Sequence, residues 1–311
     1  MNSLLKKWGR VALLAAVTCF APSVVAQRLG DGGSLQREWE LAGEVFREVD
    51  AQQEYTDPRQ MNDAWLAAVK ERYGATHPTV LVTLAASGRT FFDLGDLQKS
   101  LEIYRELLEL TTELFGIDHP GTTTTQLNVA KLLAEQGDYQ GALSLQIEAL
   151  ERRRRHAGSE HESTLEAMGD MARSLRGLGR FSEARPILEE VVATRRKMLG
   201  EWDEKTLSAR ISLGTLHRDA QNWEGFREQL QAVLAARRRI LGENAPETLR
   251  VKSHLGTALG ELGRLWEAVE IVEELVEGRR GTLGPSHPDT LGASLQLASL
   301  RRDAGDVAKA H

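Results

Sequence analysis

Residues 283–291 read LGPSHPDTL, and altered copies of this junction recur along the chain at one fixed interval. Pieces in the same phase are GATHPT at Gly74, GIDHPG at Gly116, GSEHES at Gly158, GEWDEK at Gly200, GENAPE at Gly242 and GPSHPD at Gly284. These six glycines lie 42 residues apart with no insertion or deletion. A second series, Gly95, Gly137, Gly179, Gln221, Gly263 and Gly305, keeps the same 42-residue interval. Two series in constant phase mark a repeat of supersecondary units, each unable to bury its apolar face without a stacked neighbour.

Within each unit the apolar spacing is helical. Thr164-Leu165, Thr206-Leu207, Thr248-Leu249 and Thr290-Leu291 open a first helix that ends near the second glycine. Seven residues before that glycine the residue is always small: Gly88, Ala130, Ala172, Gly214, Gly256, Ala298. Five residues after it stand Ser100, Ala142, Ala184, Phe226, Ala268 and Ala310, small in every unit but one. Small residues on two consecutive helices let the backbones approach closely, as a tight helical hairpin requires. Bulky apolar residues two positions after the glycine (Leu97, Tyr139, Phe181, Trp223, Leu265, Val307) fill the layer between hairpins. The glycines are expected to close helix ends in the left-handed conformation. Pro78, Pro120, Pro246 and Pro288 suit the first helical position, where no backbone donor is lost. The fourth unit carries Gln221 and Phe226 where the others have glycine and a small residue. Gly214 and Gly225 lie close enough to make room, so a compensated packing change is expected there.

This pattern resembles the tetratricopeptide repeat in its 42-residue form, found in kinesin light chains and many bacterial proteins. The resemblance rests on the two small residues, the mid-unit glycine and the Leu-Gly-x-x-His-Pro-x-Thr-Leu junction. It covers residues 74–311, five full units and a partial sixth. It implies an all-α, right-handed superhelical solenoid of antiparallel hairpins whose first helices line a concave groove for peptides or protein segments. Residues 27–73 keep a two-helix length without the small-residue code and read as an N-terminal helical cap or degenerate repeat.

Residues 1–26 have the layout of a secretory signal peptide: Lys6, Lys7 and Arg10, an apolar run from Val11 to Phe20, then Val24-Val25-Ala26 before Gln27. Thr18, Pro22 and Ser23 interrupt the run short of the ~20 apolar residues of a membrane span. The expectation is an exported, periplasmic or secreted protein with no stable membrane insertion after cleavage. Cys19 is the chain's one cysteine, so the mature part has no disulfide, thiolate nucleophile or cysteine-ligated zinc. A net charge of −6 gives no basic footprint for general nucleic-acid binding.

The candidates for chemistry are few. His77, His119, His161 and His287 occupy one repeat position, filled elsewhere by Asp203 and Ala245. Neighbouring copies would stand about 10 Å apart, too far to share a metal with ligands at about 2 Å. Helix capping or turn packing is the expected role. His156 and His161, with Glu160 and Glu162, read as a solvated loop. No phosphate loop, nucleophile elbow or zinc-binding helix is present, and no cofactor or metal is implied. Arginine runs at 152–155, 195–197, 237–239 and 279–280 recur near the ends of the second helices, where cations suit the helix dipole; a docking ridge for an acidic partner is the other reading.

Nine residues before the mid-unit glycine stand Ala86, Asn128, Asp170, Ser212, His254 and Gln296, mostly polar as an inner wall should be. In kinesin light chains asparagines at about this place help hold a peptide backbone, and Asn128 matches. Asn128, Asp170, Ser212 and His254 are therefore the candidate peptide-binding residues of a non-catalytic scaffold with a protein or peptide partner. Two alternatives stay open. One is an accessory repeat region of a larger enzyme whose catalytic domain follows His311. The other is a structural protein that self-associates through an open C-terminal end, where Leu295, Leu297 and Leu300 lack a covering helix.

Overall fold

The structure is a computed structural model that describes residues 32–52, 55 and 57–310. The expected signal peptide lies outside the described residues. Among these there are thirteen α-helices and no strand. The chain forms two compact units, one up to Leu178 and one from Gly179. The first unit holds α1 (Gly32–Gln52), α2 (Pro58–Tyr73), α3 (Pro78–Asp93), α4 (Leu97–Phe115), α5 (Pro120–Glu135), α6 (Tyr139–Ala157) and α7 (Glu162–Gly177). The second holds α8 (Phe181–Leu199), α9 (Glu204–Asp219), α10 (Trp223–Leu241), α11 (Pro246–Glu261), α12 (Leu265–Leu283) and α13 (Pro288–Ala310). From α3 to α12, 16-residue first helices alternate with 19-residue second helices in step with the repeat.

The histidine row is a row of helix caps. Nδ1 of His77, His119, His161 and His287 accepts a hydrogen bond from the backbone N–H two residues on, at 3.2, 3.1, 3.2 and 3.2 Å. Asp203 Oδ1 does the same for Lys205 at 2.9 Å, and Ala245 leaves α11 without a side-chain cap. Each cap satisfies one of the donors that a helix start leaves open.

The glycines of the first series behave differently from the sequence expectation. Gly116 has φ 83° and ψ 162°, and its five counterparts match it closely. This is an extended positive-φ region open essentially to glycine alone, not the left-handed helical one. The chain must leave the second helix and reach the next N-cap within three residues, and an extended ψ directs it outward. In the mid-unit series Gln221 adopts φ 57°, the one positive-φ residue besides glycine among those described. A left-handed conformation costs such a residue roughly 1–2 kcal/mol.

The small-residue code does bring hairpin helices together. In the first unit Ser100 Oγ donates to the Gly88 carbonyl at 2.7 Å, and the Tyr104 ring lies where a Gly88 Cβ would project. Burial pushes the Tyr104 hydroxyl pKa up to about 12. In the second unit a Cβ on Gly256 would collide with the Val272 side chain. Phe226 is buried and fills the space above Gly214, 3.4 Å from where a Cβ would stand, so the exchange of small and large residues in this unit is compensated. Ahead of the repeats, Trp65 is fully buried between α1 and α2, donating from Nε1 to the Ala42 carbonyl at 2.8 Å with Phe46 edge-on at 5.6 Å.

Gly305 does not end a helix; α13 runs through it as 23 continuous residues. Ala293, Leu297 and Leu300 pack on the second unit's core. Leu291 and Leu295 stand 52% and 73% exposed, whereas Leu249, the repeat equivalent of Leu291, is buried against Gly278 of α12.

The caps give a direct test. Replacing Ala245 with Asp supplies the missing acceptor beside the helix dipole and should raise stability by about 0.5–1 kcal/mol. His161→Ala should lose about 1 kcal/mol, and His161→Asp should retain most of it. Thermal or urea unfolding of the three variants reads the differences.

Candidate functional site

The arginine runs serve largely as braces. Arg153, Arg195, Arg237 and Arg279 share one repeat position. Arg195 donates to the Lys205 carbonyl at 3.3 Å, Arg237 pairs with Glu204 at 2.5 Å, and Arg279 donates to the Asp289 carbonyl at 2.9 Å. Each thus ties the end of a second helix to the first turn of a first helix. Arg155 pairs with Asp118, Arg238 with Glu243 and Glu274, and Arg239 lies 3.8 Å over the Trp202 ring. Arg153 is different. It donates to the Thr124 hydroxyl at 3.0 Å and has no carboxylate within ion-pair distance among the described residues; its Nε, like that of Arg195, is buried without an acceptor. Burial pushes its pKa down, and the charge of Glu166 opposes that.

Arg153 belongs to the wall of a cavity of about 690 Å³ in the first unit. Helix α5 contributes Thr123, Thr124, Leu127, Asn128 and Lys131, the end of α6 contributes Arg153 and His156, and α7 contributes Ser163, Glu166 and Asp170. Two of the four sequence candidates, Asn128 and Asp170, therefore meet in one site. Asn128 is half-buried, and its amide makes no hydrogen bond with another described residue. Asp170 pairs with Arg173, which also reaches Glu135 at 2.9 Å. Lys131 extends over the Phe92 ring at 5.5 Å. His156, assigned to a solvated loop by its sequence, lies at the end of α6 and lines the same cavity.

Ser212 and His254 lie on α9 and α11 of the second unit. Ser212 is exposed, with its hydroxyl turned back to the Ser208 carbonyl at 3.1 Å. The His254 ring keeps an exposed edge but packs 6.4 Å from Phe226. Loss of hydration there, then the charges of Arg218 and Arg250, lower its pKa. His217, buried and within 3.1 Å of the Asn222 amide nitrogen, is lowered chiefly by burial and then by Arg185.

A second cavity, of about 860 Å³, lies in the second unit and is strongly charged. Lys252 is buried in its wall between Glu243 at 2.9 Å and Glu274 at 3.0 Å, Arg238 bridges the same two carboxylates, and Arg301 pairs with Glu273 at 2.7 Å. Among the described residues no group of three or more His, Cys, Asp or Glu is placed to hold a metal ion, and no helix is long and apolar enough to cross a membrane.

The two histidines carry a pH dependence. A lowered imidazole pKa means that the fold favours the neutral ring. Their contribution is present above the ordinary value of 6.5 and is lost as the pH falls below it. Melting temperature should therefore drop on acidification through this range. The joint variant His217→Gln, His254→Gln should show a smaller drop than the parent chain.

Comparison with known proteins agrees with this architecture. A tetratricopeptide repeat model matches residues 79–155, 122–197 and 205–281, and a second model of the same description matches 170–239. A crystal structure of nearly identical TPR-like repeats assigned to a kinesin light chain of Podosopora anserina is 24% identical. It covers 66% of this chain and 98% of that one, with a TM-score of 0.61. BtubC (BKLC) from P. vanneervenii is 18% identical over 81% of this chain and 93% of its own, with a TM-score of 0.58. At such identities the likeness is one of fold. A search of curated proteins found no match. With three of its segments matched by one repeat model and the hairpins arranged as described, the chain belongs to the tetratricopeptide repeat family.

Proposed function

We propose that the protein is a non-catalytic, exported scaffold that captures an extended peptide or protein segment on the faces of its first helices. The observation that carries this reading is the cavity of the first unit, where Asn128 and Asp170 stand one repeat apart on consecutive first helices. A repeat array presents a regular series of side chains, and an extended peptide offers a regular series of partners. The Asn128 amide has both a donor and an acceptor free for a peptide backbone. Export rests on the three-part layout of residues 1–26.

Peptides selected from a displayed random library on the full chain supply the probe. Asn128→Ala and Asp170→Ala should each weaken binding of a selected peptide several-fold. Their unfolding free energies should stay within about 0.5 kcal/mol of the parent, since neither side chain is buried. Unchanged affinity in both variants would move the site away from this face. For export, the intact mass of the protein recovered from an exported fraction should correspond to a chain beginning at Gln27; retention of residues 1–26 would reject cleavage.

A further inference from the structure

We infer that the edge of the second unit where its second helices end is a docking surface for a bilayer rich in anionic phospholipid. The inference is independent of the peptide-binding reading. It starts from a row of apolar side chains that the core leaves half outside. Met198 and Leu199 end α8, Ile240 and Leu241 end α10, Leu283 ends α12, and Trp202 lies in the turn after α8. All six are between 43% and 49% exposed. The repeat sets equivalent positions about 10 Å apart, so these side chains form one row along the edge.

In the first unit the same positions are covered or polar. Tyr73 and Phe115, at the repeat position of Leu199 and Leu241, are half-buried against the capping rings of His77 and His119, at 5.1 and 5.0 Å. Asp203 and Ala245 stand in place of those rings in the second unit and offer no such cover. Trp202 departs further, for its counterparts Thr76, Asp118, Glu160, Asn244 and Ser286 are all polar. In the first unit Arg155 pairs with Asp118 at 3.3 Å. The same two repeat positions in the second unit hold Arg239 and Trp202, with the guanidinium 3.8 Å above the ring centre. An exposed cation–π pair thus replaces a solvated ion pair, and Arg239 has no carboxylate within ion-pair distance among the described residues.

The charge around the row selects an anionic bilayer. Arg196-Lys197 precedes Met198-Leu199, Arg238-Arg239 precedes Ile240-Leu241, and Arg196, Lys197 and Arg239 are exposed. Residues 195–205, 237–247 and 279–289 hold nine Lys or Arg against six Asp or Glu, in a chain whose net charge is −6. The acids beside Trp202 are already engaged: Glu201 pairs with Arg210, and Asp203 caps α9. Cations adjoining apolar tips fit the headgroup region, where Lys and Arg reach phosphates while aliphatic groups and an indole ring enter the acyl boundary. The core of a protein interface is instead depleted in charge.

The test is sedimentation of the full chain with vesicles of phosphatidylcholine, alone or mixed with phosphatidylglycerol in about equal parts. Residues 1–26 are common to all variants, so differences between variants report on the edge. Binding should require the anionic lipid and weaken as salt is raised. Arg239→Gln should lower the partition coefficient about fivefold, the effect of one cation near the surface. Trp202→Asp should lower it more than about tenfold, yet melt no lower than the parent, because it restores the ion pair seen between Arg155 and Asp118. Trp202→Phe should bind within about threefold of the parent. The parent has six tryptophans, and vesicles with brominated acyl chains should quench a part of its emission that Trp202→Phe lacks. No binding, equal binding to both kinds of vesicle, binding unchanged in Trp202→Asp, or equal quenching of the parent and Trp202→Phe would overturn the inference. Self-association without vesicle binding, abolished by Trp202→Asp, would also overturn it and assign the edge to a contact between proteins.

Discussion

The structure depends on one close approach: a second helix laid against its first helix across a small residue. Ser100 bonded to the Gly88 carbonyl, Val272 pressed on Gly256 and Phe226 seated over Gly214 are three versions of it. A side chain on Gly256 would force these backbones apart, and the apolar residues of the next layer would lose their fit, because packed interiors tolerate added volume poorly. The rest of each unit maintains that contact. The N-cap fixes where the first helix starts, the positive-φ turn sets the reversal, and the glycine at the end of the second helix sends the chain to the next cap.

Several residue types that suggest chemistry are used for this geometry. The histidines present Nδ1 to a backbone N–H, a task that Asp203 performs equally well with a carboxylate oxygen. Arg195, Arg237 and Arg279, one from each of three runs, join a helix end to a neighbouring helix start. Repetition is the reason. A residue placed to close one unit is copied into all of them, so the same pattern that would make a catalytic series also makes a structural one. Placement decides between them: the histidine nitrogens point back at their own helices.

The period, the hairpins and the close contact between small residues were legible in the sequence because they depend on spacing alone. So was the cap, since residue type and position relative to a helix start determine it. The conformation at the first glycine series was not legible. Residue type allows any positive φ, and the required ψ follows from where the next helix must begin. The pairing of Asn128 with Asp170 around one cavity followed from the register, whereas Ser212 in the same register of the second unit is exposed and turns its hydroxyl back to its own helix. Register fixes a face, and the neighbouring side chains decide whether that face is hollow. The continuation of α13 through Gly305 shows the same limit, for a glycine permits a turn without imposing one.

Departures from the repeat are therefore most informative when sorted by whether the chain compensates them. Phe226 is compensated by Gly214, and Arg301 by Glu273 and by exposure at a position where Leu259 and Phe91 are buried. Gln221 carries an uncompensated but small backbone cost, and Ala245 leaves its helix without a side-chain cap. Thr123 and Arg153 are of another kind. Thr123 buries a hydroxyl without a partner where other units bury a leucine, Arg153 reaches a single hydroxyl where Arg195, Arg237 and Arg279 reach a carbonyl or carboxylate, and both line one cavity. A local loss of stability that the fold does not require, concentrated beside an open space, is the physical signature that separates a site from a repeat.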